Sequence, residues 1–313
     1  MRRVCVGIDV GGTKTHLQVV SDEGELLAEA IRPSGEWRRW PNARKAAWLA
    51  SLVGESIPDG AEAVSVAVGA HGCDNARQCA RLRALLEPAL GTACTVVNDA
   101  ELLSAALQSG PAIGVISGTG SKAVGPGADG ETLYAGGWGW LLGDEGGGAG
   151  LVRHAARELL GLYDRGDHDE RLAVHLLRAL GISDVAEIPQ AMTSVVPEAW
   201  AQHAPAIFLA ATEGSPAAQR VIASGGESLA ELVSGLHKRG VATTLVVAGG
   251  GVVTTQPRLA EAFRGALAEL DQSHELRILE GPPVAGAVAL ARLAARGMRQ
   301  PAGPVVPIES TRR

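Results

Sequence analysis

Two runs in this 313-residue chain carry an apolar stretch into glycine, threonine and lysine. In the first, Val6-Gly7-Ile8-Asp9-Val10 leads into Gly11-Gly12-Thr13-Lys14-Thr15. In the second, Ile113-Gly114-Val115-Ile116 leads into Ser117-Gly118-Thr119-Gly120-Ser121-Lys122. Glycine lets backbone N–H groups approach phosphate oxygens that a Cβ would hold away, and threonine adds a hydroxyl donor. A single Gly-Gly turn reads as an ordinary hairpin. Its repetition in a second strand-and-turn favours a phosphate clamp. Neither turn has the Gly-x-x-x-x-Gly-Lys-Ser/Thr spacing of a P-loop. A third cluster, Gly249-Gly250-Gly251, ends the apolar run Val246-Val247-Ala248 before a predicted helix and could pass beneath an adenosine.

Two carboxylates stand near these turns. Asp9 closes the first apolar run and is suited to hydrated Mg2+, which keeps several waters and takes one or two carboxylates. Asp99, after Asn98 at the end of another apolar run, is the candidate base for phosphoryl transfer, a role worth about 10²- to 10⁴-fold in rate. Asn98 or Asp99 also reads as the N-cap of the helix that follows. The segment Gly136-Gly137-Trp138-Gly139-Trp140-Leu141-Leu142-Gly143-Asp144-Glu145-Gly146-Gly147-Gly148 is too glycine-rich for a core element. A tryptophan face beside exposed amides and carboxylates suits a sugar, with its apolar C–H faces and rim of hydroxyls. A flexible loop with Trp138 anchored in the core fits the composition equally. Of 28 basic residues only Lys14, Lys45, Lys122 and Lys238 are lysine, and two of them lie in the glycine-threonine turns, where a compact ammonium can meet phosphate.

The elements that must position these residues follow from periodicity. Strands are predicted at Arg3–Val10, Lys14–Val20 and Glu25–Ile31, then a helix at Ala43–Glu55, a strand at Ala63–Val68, a helix at Asn75–Leu90, a strand at Cys94–Val97 and a helix at Ala100–Gln108. After Gly110-Pro111 the pattern restarts with strands at Ile113–Ile116, Lys122–Val124 and Glu131–Ala135. Later come strands at Thr244–Val247 and Glu275–Ile278 and a closing helix at Val284–Ala295. The second half thus repeats the first, with a helical insertion at roughly Gly150–His203 whose amphipathic stretches, such as Leu172–Leu180, pack as core. This organisation predicts an α/β protein of two duplicated domains, residues 1–109 and 110–298, with mixed sheets and ligand between them at the carboxyl ends of the strands. Residues 299–313, with Pro301, Pro304 and Pro307, read as a disordered tail.

Composition narrows the partners. A hydrophobic fraction of 46%, a charged fraction of 20% and a formal charge of −6 describe a globular chain without the basic face that nucleic acid requires. No leader pattern and no run of about 18 apolar residues is found, which predicts a cytoplasmic protein without a membrane partner. Cys5 and Cys94 fall in predicted strands and read as core. Cys73 and Cys79 bracket a helix start and could be exposed.

Gly11-Gly12-Thr13-Lys14-Thr15, Asn98-Asp99-Ala100, Ile116-Ser117-Gly118-Thr119-Gly120-Ser121, Gly136-Gly137-Trp138-Gly139, Gly143-Asp144-Glu145-Gly146 and Gly249-Gly250-Gly251, in this order, resemble the actin, hexokinase and heat-shock-chaperone ATPase superfamily. Within it they are most similar to the N-acetylglucosamine kinase and BadF-type ATPase family. The resemblance implies two ribonuclease H-like, actin-like ATPase domains around a nucleotide cleft. It also implies ATP and Mg2+ as cofactors, Asp99 as catalytic base, and an ATP site from Gly11, Gly12, Thr13, Lys14, Gly118, Thr119, Gly120, Ser121 and Gly249 to Gly251. The implied sugar pocket takes in Gly35, Glu36, Asn98, Asp99, Thr119, Gly137, Trp138, Gly139 and Asp144, and a homodimer is implied as well. The expected activity is phosphorylation of an amino sugar or related hexose, at the 6-hydroxyl.

Sugar kinases of this kind tend to carry asparagine in the loop after the third strand and after Gly-Thr-Gly-Ser. This chain has Pro33-Ser34-Gly35-Glu36-Trp37 and Lys122 instead. A carboxylate at Glu36 pairs with an ammonium, so the sequence favours glucosamine over the N-acetylated sugar. The alternative is an activator ATPase of the dehydratase type, with Cys73 and Cys79 supplying half of an iron-sulfur cluster shared by a dimer. A third class is a nucleotide-switched protein without an acceptor. No cysteine-cluster zinc motif or DNA-reading helix pair is present in the sequence.

Overall fold

The structure, a computed structural model, describes residues 1–107 and 110–297. The expected tail and Gln108, the last residue of one predicted helix, lie outside the described residues. The first half runs β1 (Arg2–Val10), β2 (Lys14–Ser21), β3 (Leu26–Pro33), a 3-10 turn at Trp37–Arg39, α1 (Asn42–Ser56), β4 (Ala61–Ala70), α2 (Ala76–Leu90), β5 (Cys94–Val97) and α3 (Glu101–Leu107). The second runs β6 (Ile113–Ser117), β7 (Ser121–Pro126), β8 (Thr132–Gly136), α4 (Gly148–Arg165), α5 (Glu170–Leu180), α6 (Ile188–Thr193), α7 (Ala204–Thr212), α8 (Pro216–Lys238), β9 (Leu245–Gly249), α9 (Gly251–Thr255), α10 (Pro257–Leu270), β10 (Glu275–Ile278) and α11 (Val284–Ala295).

Each half builds one five-stranded mixed sheet, ordered β3-β2-β1-β4-β5 and β10-β9-β6-β7-β8. In both, the first strand pairs antiparallel with the second and parallel with the fourth, so the sheets share one topology. The duplication read from the sequence is therefore present strand by strand. α8 and α10 pack together in the second half as α1 and α2 do in the first. What the second half has in addition is α4 to α7 and the short α9. The insertion thus extends to Thr212, because the apolar α7 packs against α5 and α8.

β1 is apolar on both faces because it is covered on both. Val4, Val6, Ile8 and Val10 face the core containing Trp37, Leu49 and Leu82, while Cys5 faces Leu102, Ala287 and Leu290, the period-two alternation of a strand. The helices behind Cys5 are exchanged between halves. α11, from the second half, packs on β1 and β4. α3, from the first, packs on β6 and β9, and the two helices pack on each other. Glycines permit this close layering. A Cβ on Gly7 would run into the backbone of Val288, and one on Gly114 into the carbonyl of Ala100. No helix among the described residues is long and apolar enough to cross a membrane.

Candidate active site

The three glycine segments meet. A methyl group built on Gly12 would lie 3.7 Å from Thr119 Oγ1, and one on Gly118 would lie 3.8 Å from the backbone N of Gly251. The turn after β1, the turn after β6 and the cluster after β9 therefore form one surface between the sheets. Residues more than a hundred positions apart are brought together because both turns sit at the carboxyl ends of equivalent strands. Lys14 is exposed beside the first turn, and Gly250 has φ +101°, a conformation natural to glycine.

Asp9 ends β1 with its carboxylate largely buried, and it has no hydrogen bond or ion pair among the described residues. Burial, then the nearby charge of Asp99, pushes its pKa up to about 7, against the opposing effects of Lys14 and His71. Asp99 follows β5. The capping ambiguity of the sequence resolves in favour of Asn98, which is fully buried. Its Oδ1 accepts from Ala100 N at 3.1 Å, its Nδ2 donates to Cys73 O at 3.0 Å, and Glu101 Oε1 accepts from Asn98 N at 2.9 Å. This reciprocal pattern is a capping box. Asn98 is thus occupied in holding α3, although the resemblance placed it against the sugar. Asp99 is relieved of the cap, and its nearest charged partner is His71 Nδ1 at 3.6 Å from Oδ2.

The glycine-rich loop between β8 and α4 is fastened to the second turn. Ser117 Oγ donates to Gly146 O and Ser121 Oγ to Glu145 O, both at 2.6 Å, and Gly148 N donates to Gly118 O at 2.7 Å. The Ser121 hydroxyl, expected at the nucleotide, is engaged in this stitch. Asp144 has φ +66°, the one non-glycine residue at positive φ among the described residues. Such a conformation persists only where the surroundings over-determine it. Ser121 N approaches its Oδ1 at 3.4 Å, a methyl group on Gly120 would overlap its carboxylate, and Arg153 clamps the neighbours Gly143 and Glu145 at 3.1 and 2.8 Å. Burial raises the pKa of Asp144, opposed by Ser121 N, Arg38 and His71. Trp140 packs edge-on against Trp200 with ring centroids 5.2 Å apart, so Trp140 is the loop's anchor. Trp138 is 71% exposed, with Gly137 and Gly139 at positive φ on either side.

Gly35 and Glu36 lie on the loop after β3. Ser34 ties that loop to the first turn, its Oγ donating to Gly11 O at 2.8 Å and its N to Thr13 O at 3.0 Å. Both Gly35 and Glu36 are exposed, and the Glu36 carboxylate stands 3.7 Å from Arg39. The guanidinium of Arg38 reaches across to Gly139.

Two sequence expectations are corrected here. Lys122 does not stand in the phosphate turn as a free ammonium. It is buried, 2.7 Å from Asp74 Oδ1 and over the Tyr134 ring at 4.9 Å, because β7 begins at Ser121 and turns the next side chain away. Cys73 and Cys79 are not exposed: they are 4% and 6% accessible, held by the packing of α2 on the sheet. His71, Ser34, Arg38 and Asp74 were not singled out from the sequence. A lone histidine after an apolar strand carries no periodic or motif signal, and its meaning appears only when β5 brings Asp99 beside it.

Comparison with known proteins agrees with this geometry. The model of the BadF/BadG/BcrA/BcrD ATPase family matches residues 6–291. An N-acetylmuramic acid/N-acetylglucosamine kinase of Clostridium acetobutylicum is 24% identical over 303 residues, 92% of this chain and 97% of that protein. An N-acetyl-D-glucosamine kinase of Dictyostelium discoideum is 25% identical over 256 residues, 76% and 80% of the two chains. A crystal structure from Chromobacterium violaceum, provisionally named an N-acetylglucosamine kinase, superposes with a TM-score of 0.68 at 24% identity, covering 92% of this chain and 98% of that one. A ROK family glucokinase from Streptomyces griseus, in complex with glucose and AMPPNP, gives 0.59 at 20% identity over 94% and 100%. These solved structures share the two-sheet α/β fold, and with the family model spanning nearly all of the strands and turns described above, the chain belongs to the BadF/BadG/BcrA/BcrD ATPase family.

Proposed function

We propose that this protein is an ATP- and Mg2+-dependent sugar kinase that phosphorylates the 6-hydroxyl of an amino sugar or related hexose. The observation that carries the reading is the meeting of three glycine turns beside a carboxylate, Asp99, that the local backbone leaves free. The family is one of ATPases, and the names of the Clostridium and Dictyostelium relatives support a sugar acceptor.

The residues fit a divalent cation. Asp9 has no hydrogen bond or ion pair from its carboxylate among the described residues, and its charge is opposed by burial and by Asp99. No cluster of three or more ligating side chains is found among the described residues, which suits a metal that keeps most of its waters. Bound with ATP, Mg2+ neutralises phosphate charge. Gly11 N and Gly118 N close the two turns on Lys14 O and Gly120 O, so the N–H groups between them and the hydroxyls of Thr13 and Thr119 cradle the phosphates, and Gly249 to Gly251 run beneath the nucleoside. Trp138, Gly137 and Gly139 face the sugar, with Asp144 binding hydroxyls. Asp99 accepts the 6-hydroxyl proton as the new O–P bond forms and the bond to the departing ADP breaks.

The iron-sulfur alternative is not favoured. A cluster shared by two subunits needs thiols at a surface, whereas Cys73 and Cys79 are buried, with Cys79 Sγ 3.7 Å from Cys73 O. ADP release measured across a panel of hexoses and amino sugars tests the reading. Sugar-dependent release is expected, and Asp99→Asn should lower it by about 10²- to 10⁴-fold while ATP affinity stays within twofold. ATPase activity indifferent to every sugar, or near-normal turnover by Asp99→Asn, refutes it.

A further inference from the structure

We propose that His71 is the positioning residue of the proposed base: its Nδ1–H holds Asp99 Oδ2, leaving Oδ1 turned to the acceptor hydroxyl. This rests on the kinase reading above. Three observations carry it. First, the carboxylate of Asp99 receives no backbone N–H among the described residues, because Asn98 has taken the cap of α3. Its orientation is therefore set by its neighbours. Second, those neighbours act in opposite senses. Asp9 repels Asp99, and His71, with Nδ1 3.6 Å from Oδ2, attracts it. Third, His71 sits where three segments of the site join. Its N–H donates to Val10 O at 2.8 Å, one residue from Asp9, and its carbonyl accepts from Trp37 Nε1 at 2.9 Å, one residue from Glu36.

Both of these bonds are made by the main chain of His71, so the alanine, asparagine and glutamine variants below keep them. The side chain is 36% exposed and belongs to none of the apolar clusters. What it contributes is the contact with Asp99. At 3.6 Å that contact is a charge pair longer than a hydrogen bond, of the kind that tightens when substrate is bound. Other charges facing His71 are Asp74, which supports its protonated form, and Arg38, which opposes it. Burial is the largest influence and opposes that form, but Asp99 together with Asp74 leaves the imidazole pKa raised.

Three variants separate positioning from a general structural role. In His71→Ala, kcat for the preferred sugar should fall about 30- to 300-fold, part of the 10²- to 10⁴-fold worth of a base, with KM for ATP within twofold. His71→Asn, whose amide N–H lies near the place of Nδ1, should recover at least tenfold of that loss. His71→Gln, whose amide reaches the place of Nε2, should recover less. The double variant His71→Ala/Asp99→Asn should be no slower than Asp99→Asn alone, since one residue acts through the other. A kcat for His71→Ala within twofold of the parent, or losses that multiply in the double variant, overturns the proposal. An NMR titration of the His71 ring needs no sugar. Asp99→Asn should lower its midpoint by about one pH unit, the scale of an adjacent opposite charge, and an unmoved midpoint overturns the proposal whatever the acceptor. Failure of the parent protein on every sugar, by contrast, removes the kinase reading.

Discussion

Replacing Asp9 by asparagine should make the metal-free, nucleotide-free protein more stable at alkaline pH while abolishing its proposed activity. The magnitude follows from the environment of the carboxylate. Its ordinary value of 3.8 is pushed to about 7 in the fold, by burial first and by Asp99 second. That interval corresponds to roughly 4 kcal/mol if fully expressed, and to about 2 kcal/mol once relaxation and water entry are allowed. The sign is that of a carboxylate with a raised folded-state pKa. Between pH 3.8 and about 7 the folded protein binds more protons than the unfolded chain, so stability falls as pH rises through this window and levels off above it. Asparagine removes the dependence. Scanning calorimetry in a chelator should therefore show Asp9→Asn melting about 4 °C above the parent at pH 8, taking about 2 °C per kcal/mol for a chain of this size. The difference should shrink as pH falls through this window and vanish below about pH 3. Equal melting temperatures at pH 8, or a difference that ignores pH, would mean that Asp9 is neither desolvated nor opposed by Asp99.

Two further outcomes follow from the packing. Gly114→Ala places a Cβ against the Ala100 carbonyl, one residue from Asp99, and should cost roughly 2–3 kcal/mol in urea unfolding as well as lowering kcat; an unaltered denaturation midpoint would show that the α3 crossing yields freely. On the acceptor side, Glu36 is already close to Arg39 and the cleft carries Arg38 near Asp144, so an ammonium gains nothing there. N-acetylglucosamine should be used at least as well as glucosamine in kcat/KM, and a clear preference for glucosamine would refute this assignment of Glu36.

Much of the fold was legible because it is written twice. The strand-turn-strand pattern at Val6–Thr15 and again at Ile113–Lys122 marked two duplicated halves with mixed sheets and pointed to the facing strand ends, where the glycine segments meet. Local signals did less well wherever a side chain answers to a residue far away in sequence. The cap of α3 is the exception: Asn98 and Asp99 are equally good caps in isolation, and the local partner Glu101, which reaches back to Asn98 N, decides between them. Trp138 and Trp140 are indistinguishable by composition, and Trp200 from the helical insertion decides which one is buried. Lys122 looks like a phosphate ligand until Asp74, forty-eight residues earlier, takes its charge. His71 was invisible for the same reason: its partner, Asp99, follows another strand, twenty-eight residues on.

The exchange of α3 and α11 between the sheets bears directly on how the proposed base is placed. Asp99 lies at the head of α3, so β5, through β4, fixes it relative to Asp9 on the first sheet. The body of α3 rests on β6 and β9, and Gly114 brings β6 against Ala100, which fixes the same residue relative to the turn at Gly118–Ser121 on the second sheet. A base borne by either half alone would lose its alignment with one set of phosphate-binding groups whenever the halves moved. Carried on a helix that belongs to one half by sequence and to the other by packing, Asp99 is tied to elements of both sheets. Any relative rotation must then be absorbed in the thin layer of Cys5, Ala67, Leu102, Ala287 and Leu290. Small side chains and glycines dominate there because backbones must pass close to one another, and a bulky residue would fix the angle at which the cleft stands.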